Sequence, residues 1–281
     1  MQKIALLVDS ACDLSLKEME ENNIKLLPLR ISYSTGEYKD ILEISADEVY
    51  SNLNKEIPKT SLPSPEETEE VLNSLEREGY THVIAITLSS GLSGTNNSIR
   101  LLLEDHPKLT SYVFDTKILA MPEGIVALET AKLIKEGKSF EEIIKEIPII
   151  RKRITGYFTL NTLDYLIKGG RIGKVSGMIG QMLNIKPIIT VDENGVYYSV
   201  CKARGRKQSI SKLTNILKEE LEKGKCKVWV LHGGALEEAK KFMESIRSLK
   251  NILDLNISQI SPALGVHAGP GLLGLAIQKI K

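Results

Sequence analysis

The chain has 281 residues, 42% of them hydrophobic and 26% charged, with a net charge of +1, which is typical of an ordinary globular protein with ample material for a core. It contains no run of about 18 apolar residues, which excludes a membrane-spanning helix, and its apolar N-terminus is too short for a signal peptide. The three cysteines, Cys12, Cys201 and Cys226, are widely spaced and indicate neither a disulfide framework nor a zinc site. We therefore expect a cytoplasmic protein of two domains.

Positive charge is concentrated in residues 151–207, where eleven Lys and Arg stand against three Asp and Glu. Such a segment suits a phosphate, a nucleic acid or an acidic partner protein, unless it is only a solvated lysine-rich surface. Few aromatic residues lie among these charges, and no recognition-helix pattern accompanies them. We therefore expect no nucleic-acid partner.

Strands and helices alternate through the first 153 residues. The predicted strands are residues 4–8, 24–31, 82–87 and 110–114, and the predicted helices begin near residues 16 and 45 and cover residues 64–78, 96–103, 124–136 and 139–152. This alternation predicts a parallel sheet with helices on both faces, and a site at the carboxyl ends of its strands.

The pattern changes after Arg153. The predicted elements there are a helix at 160–167, a hairpin of strands 187–191 and 196–201, a helix to about residue 223, a strand at 227–232, a helix at 237–249, a strand at 255–260, a Gly- and Pro-rich loop at 261–271 and a short terminal helix. Between the first helix and the hairpin, an apolar stripe either contacts a flexible ligand or, as is more usual, belongs to the core. Its members are Met178, Ile179, Met182 and Leu183.

Small polar residues follow several predicted strands. Residues 88–95, which read LSSGLSGT, join a strand to a helix, where free N–H groups and the helix dipole favour an anion, although such a loop can also serve only to turn the chain. Asp9, Ser10 and Asp13 follow the first strand, and helix capping explains one of them but not all three. Thr60 and Ser61 precede a helix capped by Ser64 and have no structural task of their own.

The motif Gly91-Leu92-Ser93-Gly94-Thr95 differs at one position from the G-x-S-x-G nucleophile elbow of hydrolases. Ser93, Asp115 and His267 also occur in the chain order of a hydrolase triad. A serine esterase or lipase-like hydrolase is therefore the alternative function. Glycines surround His267 and permit a close approach of the backbone to a ligand, which favours a ligand-binding role for this histidine.

Five motifs occur in order along essentially the whole chain: DSACD at 9–13, TSLPS at 60–64, SSGLSGT at 89–95, LIKGGRI at 166–172 and GVHAGPG at 265–271. Together they resemble the DegV family of fatty-acid-binding proteins. The resemblance implies an α/β fold with a parallel-sheet N-terminal domain, residues 1–153, and an α/β C-terminal domain with a mixed sheet, residues 154–281. A long-chain fatty acid such as palmitate would lie between them.

The resemblance also implies which residues hold the acid. Thr60, Ser93 and His267 match the family's carboxylate-binding positions, and the ligand-binding set that we predict is Thr60, Ser61, Ser93, Gly94, Thr95, Gly265 and His267. These neutral groups would hold an ionised carboxylate without a full opposite charge in the cleft. Val266 and Leu62 depart from the family's common threonine and glutamine, which affects the surroundings of the site but removes no proposed ligand.

The family supplies the acyl-binding subunit of bacterial fatty acid kinase. By resemblance, the chain would itself be non-catalytic, would need no metal or cofactor, and would present the carboxylate to a separate ATP-dependent kinase. The basic segment then has a use, and we predict that Arg171, Arg204, Arg206 and Lys207 border the carboxylate end and meet that kinase or its ATP. Chain-length preference and oligomeric state do not follow from the sequence.

Overall fold

Two main sheets, one parallel and one mixed, organise residues 2–178 and 184–280, which are the residues described by the computed structural model. The elements of the first half are β1 (Ile4–Asp9), α1 (Leu16–Glu21), β2 (Ile24–Leu27), β3 (Arg30–Tyr33), β4 (Gly36–Lys39), α2 (Ala46–Asn52), β5 (Lys59–Ser61), α3 (Pro65–Arg77), β6 (His82–Thr87), α4 (Thr95–Glu104), β7 (Thr110–Asp115), α5 (Met121–Lys135) and α6 (Phe140–Arg151). The elements of the second half are β8 (Ile154–Thr159), α7 (Asp164–Lys168), β9 (Ile185–Val191), β10 (Tyr197–Arg204), α8 (Gly205–Glu222), β11 (Cys226–Gly233), α9 (Leu236–Ile246), β12 (Ile252–Gln259), α10 (Pro262–Ala268) and β13 (Leu272–Lys279).

The first sheet has the order β2-β1-β6-β7, and every neighbouring pair is parallel. Its inner strands are buried apolar runs, with Leu7 opposite Ala85 at their centre. Burial on both faces is what a parallel sheet covered by helices requires. The predicted parallel sheet is confirmed, and the 88–95 loop leaves its carboxyl edge as expected.

The second sheet has the order β10-β9-β8-β13-β11-β12, with β11 and β12 parallel and the other neighbours antiparallel. The predicted hairpin is β9 and β10, joined by a turn in which Asp192 accepts from the N–H groups of Asn194 and Val196. The mixed C-terminal sheet is thus confirmed. The domain boundary between residues 153 and 154 stays a prediction.

The strand predicted at residues 24–31 is wrong in extent. Pro28 has no N–H to donate to a ladder, and the chain leaves the first sheet there. β3 instead forms a small antiparallel sheet of order β4-β3-β5. This sheet carries Thr60, which pairs with Ile31.

The predicted end of the chain is also wrong. Residues 262–268 form α10, with Ser261 as its N-cap and Pro262 at its first position, whereas glycines and prolines had indicated a loop. The predicted terminal helix is the strand β13, which lies between β8 and β11 and is almost wholly buried. A short apolar run buried on both faces has no periodicity that separates strand from helix. Further back, the helix predicted at 160–167 is confined to α7.

The largest apolar cluster joins the two sheets through α5. Ile125 and Ala127 of this helix pack with Leu6 of the first sheet and with Ile154 and Ala276 of the second. The predicted stripe cannot be located in this core, because residues 179–183 and the side chain of Met178 lie outside the described residues.

Candidate functional site

A cavity of about 250 Å³ lies between the loops at the carboxyl edge of the first sheet, α10 and one face of the second sheet. Most of its wall is aliphatic or aromatic. The apolar lining comprises Leu29, Leu62, Leu88, Leu92, Ile118, Leu119, Ala120, Pro122, Phe158, Leu166, Val191, Tyr197, Leu231, Ile260, Ala263, Leu264, Ala268 and Leu272. Such a wall suits an extended apolar ligand.

Polar side chains also line the cavity, and two of them are bonded to each other. Thr60 Oγ1 lies 2.6 Å from His267 Nε2, although the two residues are 207 positions apart. Thr60 belongs to the edge strand β5 and His267 to the last turn of α10, and both are half-buried. The predicted pair of ligand-binding residues is thus brought together at the cavity wall.

Ser93 contributes a hydroxyl from the loop before α4. Its Oγ lies 2.9 Å from Thr95 Oγ1 and accepts weakly from the Thr95 N–H at 3.4 Å. Gly94 is the N-cap of α4 and provides no side-chain cap. The first N–H groups and the positive end of the helix dipole therefore lie beside the Ser93 hydroxyl, an environment that favours a negatively charged group.

His267 is uncharged at neutral pH. Burial, followed by the positive charge of Arg171, lowers the pKa of its imidazole to about 4. A Cβ on Gly169 would lie 2.1 Å from Nδ1, so only glycine at that position leaves space for the ring. Nδ1 is buried and has no hydrogen-bond partner among the described residues. The ring is thus a neutral group that is bonded to Thr60 through Nε2 and packs on Gly169 through Nδ1.

We expect nuclear magnetic resonance to show no titration of His267 from about pH 5 to about pH 8 in the ligand-free protein. His106 is the internal control: burial opposes its protonation, but bonds of 2.9 and 3.0 Å to Glu69 and Glu76 raise its pKa above the usual value. Its imidazole should therefore keep its proton to a higher pH than an ordinary histidine, whereas that of His267 should not. A His267 signal that titrates like a free histidine would contradict the burial that this site requires.

Arg171 lines the cavity, in agreement with the prediction that it borders the carboxylate end. Its guanidinium donates to Gly169 O at 2.7 Å and to Leu92 O at 3.3 Å. That neutral side chains hold the acid head stays a prediction. A full positive charge stands at the cavity wall and favours a negatively charged ligand.

The other predicted ligand-binding residues lie at different depths. Ser61 lines the cavity, whereas Gly94 and Thr95 lie behind Ser93 in the start of α4. Gly265 is not part of the wall, because it packs on Tyr50 of α2: a Cβ there would lie 2.9 Å from the tyrosine hydroxyl. The close contact with the Tyr50 ring is sufficient to explain glycine at position 265, and no contact with a ligand is needed.

The remaining basic residues lie outside the cavity lining. Arg204 ends β10 and Lys207 lies in the first turn of α8, and both are exposed. Arg206 is bound by Glu238 of α9, with Nε 3.0 Å from Oε1, so much of its charge is already compensated. Arg204 and Lys207 are the more available cations for a partner.

The alternative hydrolase triad is not connected in the structure. His267 Nε2 is bonded to Thr60, and Asp115 accepts from Ser90 N and Lys117 N and forms an ion pair with Lys117 at 2.7 Å. Ser93 is bonded to Thr95. A serine nucleophile needs its histidine and the acid that orients it in one hydrogen-bonded chain, and these three residues do not form one.

Sequence reasoning missed most of the apolar wall. Leu231 lies near the end of β11, Ile260 directly follows β12 and Leu272 begins β13. Phe158 and Tyr197 approach each other edge to face. Strand ends such as these give no local signal for a cavity. Within residues 2–178 and 184–280, no group of His, Cys, Asp and Glu has the geometry to hold a metal ion, and no helix has the length and hydropathy of a bilayer span.

The comparisons with known proteins cover almost the entire chain. The sequence model described as "Uncharacterised protein, DegV family" matches residues 3–279. A DegV domain-containing protein of Clostridium perfringens is 52% identical over 99% of both chains, and Protein DegV of Bacillus subtilis is 33% identical over 97% of this chain and 98% of its own.

Similar solved structures include proteins described as binding fatty acids. The structure of DegV from Bacillus subtilis, called a fatty acid binding protein, has a TM-score of 0.91 at 31% identity and covers 100% of both chains. That of a stearic acid-binding protein from Eubacterium ventriosum has a TM-score of 0.88 at 31% identity, covering 99% of this chain and 98% of that one. By its sequence and its fold, this chain belongs to the DegV family.

Proposed function

We propose that this chain binds a long-chain fatty acid such as palmitate, with the acyl chain in the apolar cavity and the carboxylate at Thr60, Ser93 and His267. The observation that carries the proposal is the Thr60–His267 pair, 2.6 Å apart, on the wall of an otherwise largely apolar cavity. The fatty-acid-binding relatives of the same fold support it. We further propose that residues 1–153 and 154–281 act as two lobes around the acid.

The energetics of this binding mode are favourable. Burial of a sixteen-carbon chain contributes about 0.8 kcal/mol per methylene, which amounts to about 10 kcal/mol before the costs of association. An unpaired buried carboxylate would cancel several kcal/mol of this. The two hydroxyls, the neutral imidazole of His267 and the charge of Arg171 can offset that cost.

Mass spectrometry of an organic extract of the purified protein tests the proposal. We expect a long-chain fatty acid in about equimolar amount, and protein stripped of lipid should regain it from added palmitate. The hydrolase alternative predicts instead that Ser93 is labelled by a fluorophosphonate and that an ester substrate is turned over. An empty protein that takes up no palmitate would refute the proposal.

We propose, as a finer step, that the bound acid is presented to a separate ATP-dependent fatty acid kinase in the cytoplasm. The kinase would transfer the γ-phosphoryl group of ATP to a carboxylate oxygen, which gives acyl phosphate and ADP. In this scheme the chain holds and orients the acid and provides no catalytic group. The exposed cations Arg204 and Lys207 support a surface for an anionic partner.

Charge reversal tests that surface. We expect Arg204→Glu combined with Lys207→Glu to lower the rate of acyl phosphate formation by the kinase subunit about tenfold at low ionic strength, because encounter between complementary surfaces is slowed. The amount of bound fatty acid should not change. Lys218→Glu, an exposed site further along α8, is the matched control and should retain the rate. An unchanged rate in the double variant would remove Arg204 and Lys207 from the partner surface.

A further inference from the structure

The three polar residues Asp9, Ser10 and Asp13, at the end of β1 and just after it, each contact a different part of the fold. Asp9 Oδ2 accepts from Leu88 N, 2.9 Å away, at the start of the loop that carries Ser93. Asp13 Oδ1 accepts from Ser261 N, 2.8 Å away, at the N-cap of α10. Ser10 Oγ accepts from Leu29 N at 3.0 Å, just before β3. Helix capping does not account for these contacts, and the proposed fatty acid site does not use them directly.

Asp40 completes this set from the end of β4. Its Oδ2 accepts the Ser10 hydroxyl at 2.6 Å, and its Oδ1 accepts from Ala263 N, in α10, at 2.9 Å. Its own N–H donates to Leu29 O at 2.9 Å. The side chain is completely buried, with both oxygens bonded. Asp40 therefore joins the end of β1, the small three-stranded sheet and α10 at one point.

The elements that Asp40 joins are those that carry the Thr60–His267 pair. Thr60 stands on β5, which pairs with β3, and β3 begins directly after Leu29. His267 lies four residues after Ala263, one helical turn along α10. Displacement of α10 relative to the small sheet would change the distance of 2.6 Å between Thr60 and His267, which a hydrogen bond tolerates poorly.

A role in general stability does not account for this arrangement. A buried carboxylate is costly, and a well-packed apolar side chain often gives equal or better stability. Glu123 provides a contrast within the same chain, since it is also fully buried and neither of its oxygens has a partner among the described residues. Asp40 differs because each oxygen is directed at a separate element, which sets a relative position.

We propose that Asp40, held by Ser10, is a positioning residue that fixes His267 relative to Thr60 and so enables the cavity to discriminate a carboxylate from an uncharged head group. This inference rests on the proposed fatty acid binding. Asp40 acts through the Thr60–His267 pair and does not itself line the cavity. Its loss should therefore affect recognition of the head group and not the burial of the acyl chain.

The test is the ratio of the affinities for palmitate and 1-hexadecanol, which share a chain and differ in the head group. We expect Asp40→Ala to lower this ratio about tenfold, mainly by weakening the binding of palmitate. A hydrogen bond to a charged group is strong only when its geometry is good. In a His267→Ala background, Asp40→Ala should cause no further decrease. Glu123→Gln is the matched buried control, and it should keep the wild-type ratio whatever its effect on melting temperature.

Asp40→Asn keeps the volume and the acceptor for Ala263 N but cannot accept the Ser10 hydroxyl at its amide nitrogen. We expect Asp40→Asn to lower the ratio of the affinities for palmitate and 1-hexadecanol about threefold. If Asp40→Ala does not fold, this variant provides the test of the positioning role. Folded variants that keep the wild-type ratio while His267→Ala lowers it would overturn the positioning role and leave fatty acid binding intact. A wild-type protein that binds both ligands equally, with no effect of His267→Ala, would overturn the proposed binding site itself.

Discussion

Palmitate should bind at least about 100-fold more weakly when Thr60→Val and Ser93→Ala are combined. Each hydroxyl that donates to a carboxylate contributes about 1.5–3 kcal/mol, because the acceptor is charged and the site is largely dry. Thr60→Val keeps the shape of the side chain, so the apolar wall remains as it is. Titration calorimetry of the lipid-free proteins measures the loss, and extracts of the purified variants should contain correspondingly less fatty acid.

The control for this double variant is Thr159→Val. Thr159 is buried at the end of β8, is not part of the cavity lining, and its hydroxyl has no partner among the described residues. The same chemical change there should leave the affinity for palmitate unaltered. Wild-type affinity in the Thr60 and Ser93 double variant would show that the carboxylate is held elsewhere.

We expect the difference in unfolding free energy between the wild type and Asp9→Asn to depend on pH. Burial raises the pKa of Asp9 to about 7, against the hydrogen bonds from Leu88 N and Ala11 N, which lower it, and nearby Asp40 raises it further. Between the ordinary value of 3.8 and about 7, the folded state holds a proton that the unfolded state has lost. The contribution of Asp9 to stability is therefore present at low pH and is lost as the pH rises through this window.

From pH 5 to pH 8 the wild type should lose on the order of 3 kcal/mol relative to Asp9→Asn, which has no proton to release there. Urea denaturation at successive pH values measures this change separately from any constant cost of altered hydrogen bonds. Asp115→Asn is the control. Partial burial raises the pKa of Asp115, but bonds from Lys117 and Ser90 outweigh it and hold the pKa below its usual value. Its stability difference should therefore not change over this range. If the difference in unfolding free energy between the wild type and Asp9→Asn did not change with pH, Asp9 would not be a buried carboxyl that keeps its proton in the folded state.

Both predictions concern residues that the sequence had singled out for reasons that were only partly right. Thr60 attracted attention because it had no structural task, Ser93 because it lies in a loop that favours an anion, and both lie at the cavity. Asp9 was noted as more than a helix cap, but its bond to Leu88 N, 79 residues away, was not foreseeable from local pattern. Asp40 attracted no attention at all, since a single aspartate after a short exposed strand resembles any turn residue.

Sequence pattern was sufficient for the elements whose signal is local. The parallel sheet, the hairpin around residues 192–195 and the capped helices follow from alternation, turn residues and caps, each read within a few positions of the chain. Motif order was enough to predict the family. Pattern failed at β13, where burial on both faces erases periodicity, and at α10, where glycine and proline serve helix packing and capping.

Tertiary packing decided which of the candidate residues meet. The Thr60–His267 contact joins residues 207 positions apart. The cavity wall is assembled from strand ends of both sheets, and Arg171 joins it from the segment after α7. Distances of this kind depend on how the small sheet, α10 and the second sheet settle against one another. That arrangement minimises exposed apolar area and unpaired buried polar groups over the whole molecule, and no short segment carries the information.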